Sequence, residues 1–291
     1  MAAEIENSAD LEFKKLYNQR WGLNYGDTDR KETPEFWNER AADFAAKAHS
    51  EKARRESEEF LQRFTWRPDE TVLDVAAGPG TFAVPLARQV ASVTATDFSG
   101  AMLDQLQKQA ESEKISNIRV CHGRWLEMKL DEVFDTVLCL NSLGVIATDA
   151  QHQPQLEVAL KKLAQCTGKR LILLIPHADS PLEPELRGKL GLEQISLERR
   201  RIAILYLAMI DCGMLPSLNI IRRPFRWTFV NLEEAVDTLL LKAGIQNADA
   251  KRKDMTDYLQ NRLVEDDSGR YSLAYEVSQA LYVWEKSQII S

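Results

Sequence analysis

The sequence predicts an α/β protein framed on a doubly wound, mostly parallel sheet of seven strands. Three observations lead there. Short β-prone segments alternate with amphipathic helical ones between Thr71 and Ile175. A glycine turn, Gly78-Pro79-Gly80, closes the first of those strands. A carboxylate, Asp97, ends the second, 19 residues beyond Gly78.

The chain opens helically. Thr33 before Pro34 reads as an N-cap followed by a first-turn proline, and Trp37, Ala41, Phe44 and Ala48 recur at helical spacing. Glu51 to Glu59 is charged enough to be a solvated helical face. Strands follow at Thr71–Val75, Ser92–Thr96, Ile118–Cys121, Val133–Leu140 and Arg170–Ile175. Val84, Leu86 and Ala87 mark one intervening helix. Met102, Leu103 and Leu106, capped by Ser99, mark another, and Leu156, Ala159, Leu160 and Leu163 a third. Such alternation requires right-handed crossovers and a parallel sheet. Beyond Pro176 the pattern changes to a helix at Glu193–Gly213, extended chain at Leu218–Val230 and a helix at Asn231–Ala243. Asn231 with Glu234 forms a capping box, with Gly244 as C-cap. Tyr271 to Ile290 should return to the sheet as a strand near Ala280–Trp284. The expected organisation is an N-terminal helical lid (1–65) and a main domain (66–291) with a helical cap insertion within 179–267.

Composition bounds the function. The 291 residues are 44% apolar and 28% charged, as in a globular enzyme. A net charge of −7 supplies no field for a phosphate backbone, so a nucleic-acid partner is not expected. The first fifteen residues lack a signal-peptide apolar core, and the longest apolar run, Ile202–Ile210, is too short to span a bilayer. Cys121, Cys139, Cys166 and Cys212 have no metal-ligand spacing. These features point to a cytoplasmic protein without a structural metal.

The chemistry concentrates in Val72-Leu73-Asp74-Val75-Ala76-Ala77-Gly78-Pro79-Gly80. A strand that turns sharply into a helix while its backbone meets a ligand needs residues without an obstructing Cβ. Asp97 is then placed to accept both hydroxyls of a ribose at the sheet's switch point. Gly78-x-Gly80-x-x-Ala83 also fits a loose dinucleotide fingerprint, so an NAD(P)-dependent oxidoreductase stays open, as does a non-catalytic nucleotide-binding regulator. Asp74 inside the strand, Gly123-Arg124-Trp125 after the third strand, and Asn141-Ser142-Leu143 after the fourth favour another reading.

Together these segments resemble the motifs of the class I, Rossmann-like S-adenosylmethionine-dependent methyltransferases over roughly Val72 to Ile175. The resemblance implies that Asp74, Ala76, Gly78 and Gly80 hold the methionine end of the cofactor and Asp97 its ribose. It implies that Phe98 and Met102 pack on adenine, that Arg124 and Trp125 form the adenine edge, and that Asn141 begins the substrate-facing loop. Ala76 stands where the family most often has its first glycine, and alanine fits if its φ is negative. The implied reaction is in-line transfer of methyl to a small-molecule acceptor, leaving S-adenosylhomocysteine. His177, just past the fifth strand, is the candidate general base. His49, His122 and His152 have no comparable setting. Asp74 could instead brace the turn, Trp125 could be core, and the arginines at 199–201, 222, 223 and 226 read as surface charge.

Overall fold

The computed structural model describes residues 33–178, 188, 190–191, 197–242, 245, 248–266 and 269–287. Helices α1 (Pro34–Ala48) and α2 (Glu51–Leu61) precede the first strand. Thr33 Oγ1 accepts from Phe36 N at 3.2 Å, which makes the expected N-cap, and Ser50 caps α2 in the same way. Ala41 and Ala45 bury the inner face of α1, which packs on the helix after β2.

The alternating region follows as β1 (Thr71–Val75), α3 (Ala83–Ala87), β2 (Ser92–Asp97), α4 (Gly100–Ser112), β3 (Ile118–His122) and β4 (Phe134–Leu140). Then come α5 (Leu143–Ile146), α6 (Leu156–Cys166) and β5 (Thr167–Ala178). Ser99 Oγ accepts from Met102 N at 3.2 Å and starts α4, whose Met102, Leu103, Leu106 and Ala110 face inward at helical spacing. Val137, Leu138 and Cys139 of β4 are wholly buried, as a central strand covered on both faces must be.

The last elements are α7 (Leu197–Asp211), β6 (Ser217–Phe229), α8 (Leu232–Lys242), α9 (Ala248–Gln260), β7 (Val264–Glu265) and β8 (Tyr271–Glu285). The sheet runs β3-β2-β1-β4-β5-β8-β6, with two-residue β7 antiparallel to β8. The first five strands are parallel, in registers such as Asp74 opposite Ala95 and Asp74 opposite Leu138. Strand order therefore reverses at β1, so a crevice opens beyond the carboxyl ends of β1 and β4. This is the Rossmann-like architecture expected, with the tail returning as an inner strand rather than an edge.

Beneath the sheet, Arg170 ties the chain entering β1 to β4 and β5. Its Nη2 donates to Glu70 Oε1 at 3.0 Å and Thr65 O at 3.1 Å, and its Nε to Thr136 Oγ1 at 2.9 Å. The guanidinium also lies 4.4 Å from the Trp66 ring centroid.

The chain divides into two compact units, one of residues 1–175, 201–219 and 281–291, the other of 176–200 and 220–280. The second has its own core of Leu190, Phe229, Val236, Leu239, Met255 and Leu259. Its capping box forms: Glu234 N donates to Asn231 Oδ1 at 2.8 Å, while Glu234 Oε2 accepts from Val230 N, one residue earlier than the usual partner. Gly244 lies outside the described residues. Helix α9 and strand β7 are additions to the expected elements.

Candidate functional site

The bend after β1 is held by its own backbone. Ala77 N donates to Thr96 O at 2.9 Å, continuing the β1–β2 ladder, and Gly80 N donates to Ala77 O at 3.1 Å, closing the turn. Gly78 and Gly80 have φ of +56° and +88°, a region that disfavours side chains. The two glycines serve different ends. A Cβ on Gly80 would stand 2.8 Å from Leu106 Cγ and 3.0 Å from Val84 Cγ2, so Gly80 lets the loop pack on α3 and α4. A Cβ on Gly78 would meet nothing within 4 Å, so this face of the bend is open.

Ala76 also lies at positive φ, +57°. The expectation of a negative φ is thus corrected: β1 ends by turning left-handed whatever the side chain, at a cost of roughly 1–2 kcal/mol.

Asp97 lies one strand away, and its carboxylate reaches into the bend. Oδ2 accepts from Gly78 N at 2.9 Å and Oδ1 from Ser99 N at 2.8 Å. Each oxygen keeps a further acceptor site, so two hydroxyl donors can still be received. A cleft adjoins it, lined by Ala76, Asp97, Phe98, Arg124, Trp125 and Ile146 among others. The Arg124 guanidinium lies 5.6 Å from the Phe98 ring centroid, and the Lys162 ammonium lies 4.6 Å from that of Trp125. Lys162 Nζ donates to the carbonyls of Trp125 and Met128 and so fastens the loop after β3.

The charges are unusual for surface carboxylates. Asp74 is buried, and loss of hydration, followed by repulsion from Asp97, pushes its carboxyl up to about 7. Burial also raises Asp97, against the lowering effect of its backbone hydrogen bonds. Burial pushes the nearby Cys139 thiol up to about 12, so it is a filler rather than a nucleophile. Within this region, two buried polar atoms, Asp74 Oδ2 and Trp125 Nε1, have no hydrogen-bond partner among the described residues. Buried polar atoms left without a partner call for one, and Trp125 lines the cleft.

Comparison with known proteins decides between the nucleotide readings. Residues 72–167 match the model of a methyltransferase domain. The likeness is to methyltransferases over that segment, a family that uses S-adenosylmethionine as methyl donor. An uncharacterised Haemophilus influenzae protein is 30% identical over 165 residues, 56% of this chain and 57% of its own. The magnesium protoporphyrin IX methyltransferase of Arabidopsis thaliana chloroplasts is 34% identical over 106 residues, 35% of this chain and 31% of its own. A release factor glutamine methyltransferase of Xylella fastidiosa is 34% identical over 83 residues, 28% of this chain and 30% of its own. The matches thus span little more than half of these relatives' length at most. The Bacillus subtilis YcgJ protein shares the fold at a TM-score of 0.50 and 14% identity, over 79% of this chain and 97% of its own.

Within the methyltransferase domain, Asp74, Ala76, Gly78, Gly80 and Asp97 come together at one bend, and Phe98, Arg124 and Trp125 line the cleft beside it. Met102 is only 2% exposed and faces the core of α4, outside that lining. Asn141 is exposed at φ +62°, with its N–H on Leu174 O, and does not line the cleft either. His177 is the penultimate residue of β5, and its side chain lies outside the described residues. Val145, Ile146 and Thr148, from the turn of helix after β4, line the cleft without having been expected. Their signal was faint, a short apolar stretch behind Asn141. His49 and His122, set aside on sequence, both bond carbonyls of this region. Residue 122 is the register partner of Asp97, a relation visible only once β2 and β3 are aligned.

Proposed function

We propose that the protein is an S-adenosylmethionine-dependent methyltransferase acting on a small organic acceptor. The observation that carries this is the open bend: a cleft shares a wall with Asp97, whose carboxylate retains acceptor capacity beside Gly78. Asp97 would receive the ribose hydroxyls. Phe98, Arg124 and Trp125 would flank the base, while Ala76, Gly78, Gly80 and the orphaned Asp74 oxygen would hold the amino-acid end. Met102 would act from the core behind the ribose turn, and Asn141 at the acceptor side.

When bound, S-adenosylmethionine supplies a methyl group activated by its sulfonium for in-line displacement, leaving S-adenosylhomocysteine. The protein's work is to orient the pair and exclude water, so no nucleophilic side chain is required. Among the described residues no cluster could hold a metal. A proton leaving the acceptor passes to His177 or to water.

Net charge −7 supports a small acceptor over a nucleic acid, and Tyr206, Met209, Phe225 and Trp227 give the segment 179–267 apolar and aromatic character suited to an organic one. We read residues 1–65 as the lid and 179–267 as the acceptor cap. No described helix is long and apolar enough to cross a membrane. We read the setting as cytoplasmic, where the thiols of Cys121, Cys139 and Cys166 stay reduced.

The test is transfer of isotopic methyl from S-adenosylmethionine to a panel of amines, carboxylates, phenols and thiols. Acceptor-dependent release of S-adenosylhomocysteine is expected. Its absence, with labelling of added RNA or protein instead, would reject the small-molecule reading. His177→Ala should lower turnover at least about 10-fold if that imidazole takes the proton.

A further inference from the structure

The bend after β1 and the turn after β2, joined by the Gly78–Asp97 hydrogen bond, each contain a peptide plane fastened at its two ends, and in each a histidine supplies one fastening. In the bend after β1 it is the Pro79–Gly80 peptide. Its N–H donates to Ala77 O at 3.1 Å, and its carbonyl lies 2.8 Å from His49 Nε2. In the turn after β2 it is the Phe98–Ser99 peptide. Its N–H donates to Asp97 Oδ1 at 2.8 Å, and its carbonyl lies 3.0 Å from His122 Nε2. A carbonyl can only accept, so Nε2 must carry the proton in both histidines.

The two imidazoles come from unrelated places, the end of α1 and the end of β3. Helix α1 adds a second hold on the β2 turn. Asn38 Oδ1 accepts from Ser99 Oγ at 2.7 Å and from Ala101 N at 3.3 Å. The bend after β1, with Ala76, Gly78 and Gly80 at positive φ, has neighbouring backbone states within a few kcal/mol, and a tethered carbonyl selects one of them. Holding these planes keeps Gly78 and Asp97 in their ligand-free geometry, so less ordering remains for binding to accomplish.

We propose that His49 and His122 are positioning residues of the cofactor site, each locking one peptide plane of a turn that bears it, His49 for the amino-acid end and His122 for the ribose end. This rests on the cofactor reading above. In the full chain, S-adenosylhomocysteine and 5′-methylthioadenosine, which lacks the amino-acid end, are titrated calorimetrically into native, His49→Ala and His122→Ala proteins. His49→Ala should weaken S-adenosylhomocysteine about 5- to 10-fold and leave 5′-methylthioadenosine within about 2-fold. His122→Ala should weaken both ligands alike. Gln at either position, which restores an N–H donor, should recover most of the loss. Hydrogen exchange of the ligand-free proteins should be faster at residues 78–80 in His49→Ala and at 98–101 in His122→Ala. Native affinities in both alanine variants, or equal losses for both ligands in His49→Ala, would overturn the proposal. A native protein that binds neither ligand would reject the cofactor reading, and exchange would still judge the locks: unchanged exchange at both turns refutes them.

Discussion

Ala76 and Asp74 carry the residue-scale arguments. At φ +57°, Ala76 pays a left-handed penalty that glycine would not, while glycine adds freedom to the unfolded chain. The balance predicts that Ala76→Gly is neutral to stabilising by about 1 kcal/mol, and that Ala76→Val destabilises, both read from urea unfolding. Asp74 bears on pH. Its folded carboxyl titrates at about 7 against an ordinary 3.8, so the folded state holds this proton more tightly than the unfolded chain. Its contribution is full below about pH 4 and is lost as pH rises through about 7. Ligand-free Asp74→Asn should therefore lose less stability than the native protein between about pH 4 and 7, by up to a few kcal/mol. Identical pH profiles would show that Asp74 is solvated or paired. A carboxylate interrupting an apolar strand was legible in the sequence. The left-handed twist at Ala76 was not, because φ at a strand end is set by where the next turn must go.

Among elements, the bend between β1 and α3 separates packing from binding. Gly80→Ala drives a methyl against Leu106 and Val84 and should cost about 2–3 kcal/mol, whereas Gly78→Ala meets open space and should cost about 1 kcal/mol. Gly78→Ala should instead show its effect on S-adenosylhomocysteine affinity. The reverse ranking in thermal unfolding would misassign the two glycines. Arg170→Met leaves Glu70 buried without its cation and should cost about 3 kcal/mol in the same assay. Strands β1 to β5 and helices α1, α4 and α6 were readable because apolar periodicity and side-chain caps are local. Helix α9, ADAKRKDMTDYLQ, was not: it is anchored chiefly by Met255 and Leu259, too few apolar points to register as a period. Strand β5 begins earlier than expected because polar Thr167 to Lys169 joins the ladder beside Phe134.

At the scale of the whole molecule, the parallel order from β3 to β5 follows from right-handed crossovers, but the insertion of β8 between β5 and β6 does not follow from any local pattern. The same holds for the site. The residues within one motif, Asp74 to Gly80, were visible together, whereas His49 and His122 reach the two turns, and Ile146 the cleft, only through tertiary packing. Binding at the switch point should also stabilise the fold, by about 2.7 kcal/mol at 100 times the dissociation constant, which a thermal shift would register. The central claim is that the bend and Asp97 together hold an adenosyl ligand. Its most direct test is calorimetric titration of S-adenosylhomocysteine into native protein and folded Asp97→Ala. The account predicts stoichiometric binding by the first and affinity about 10- to 100-fold weaker in the second. Undiminished affinity in Asp97→Ala would contradict it.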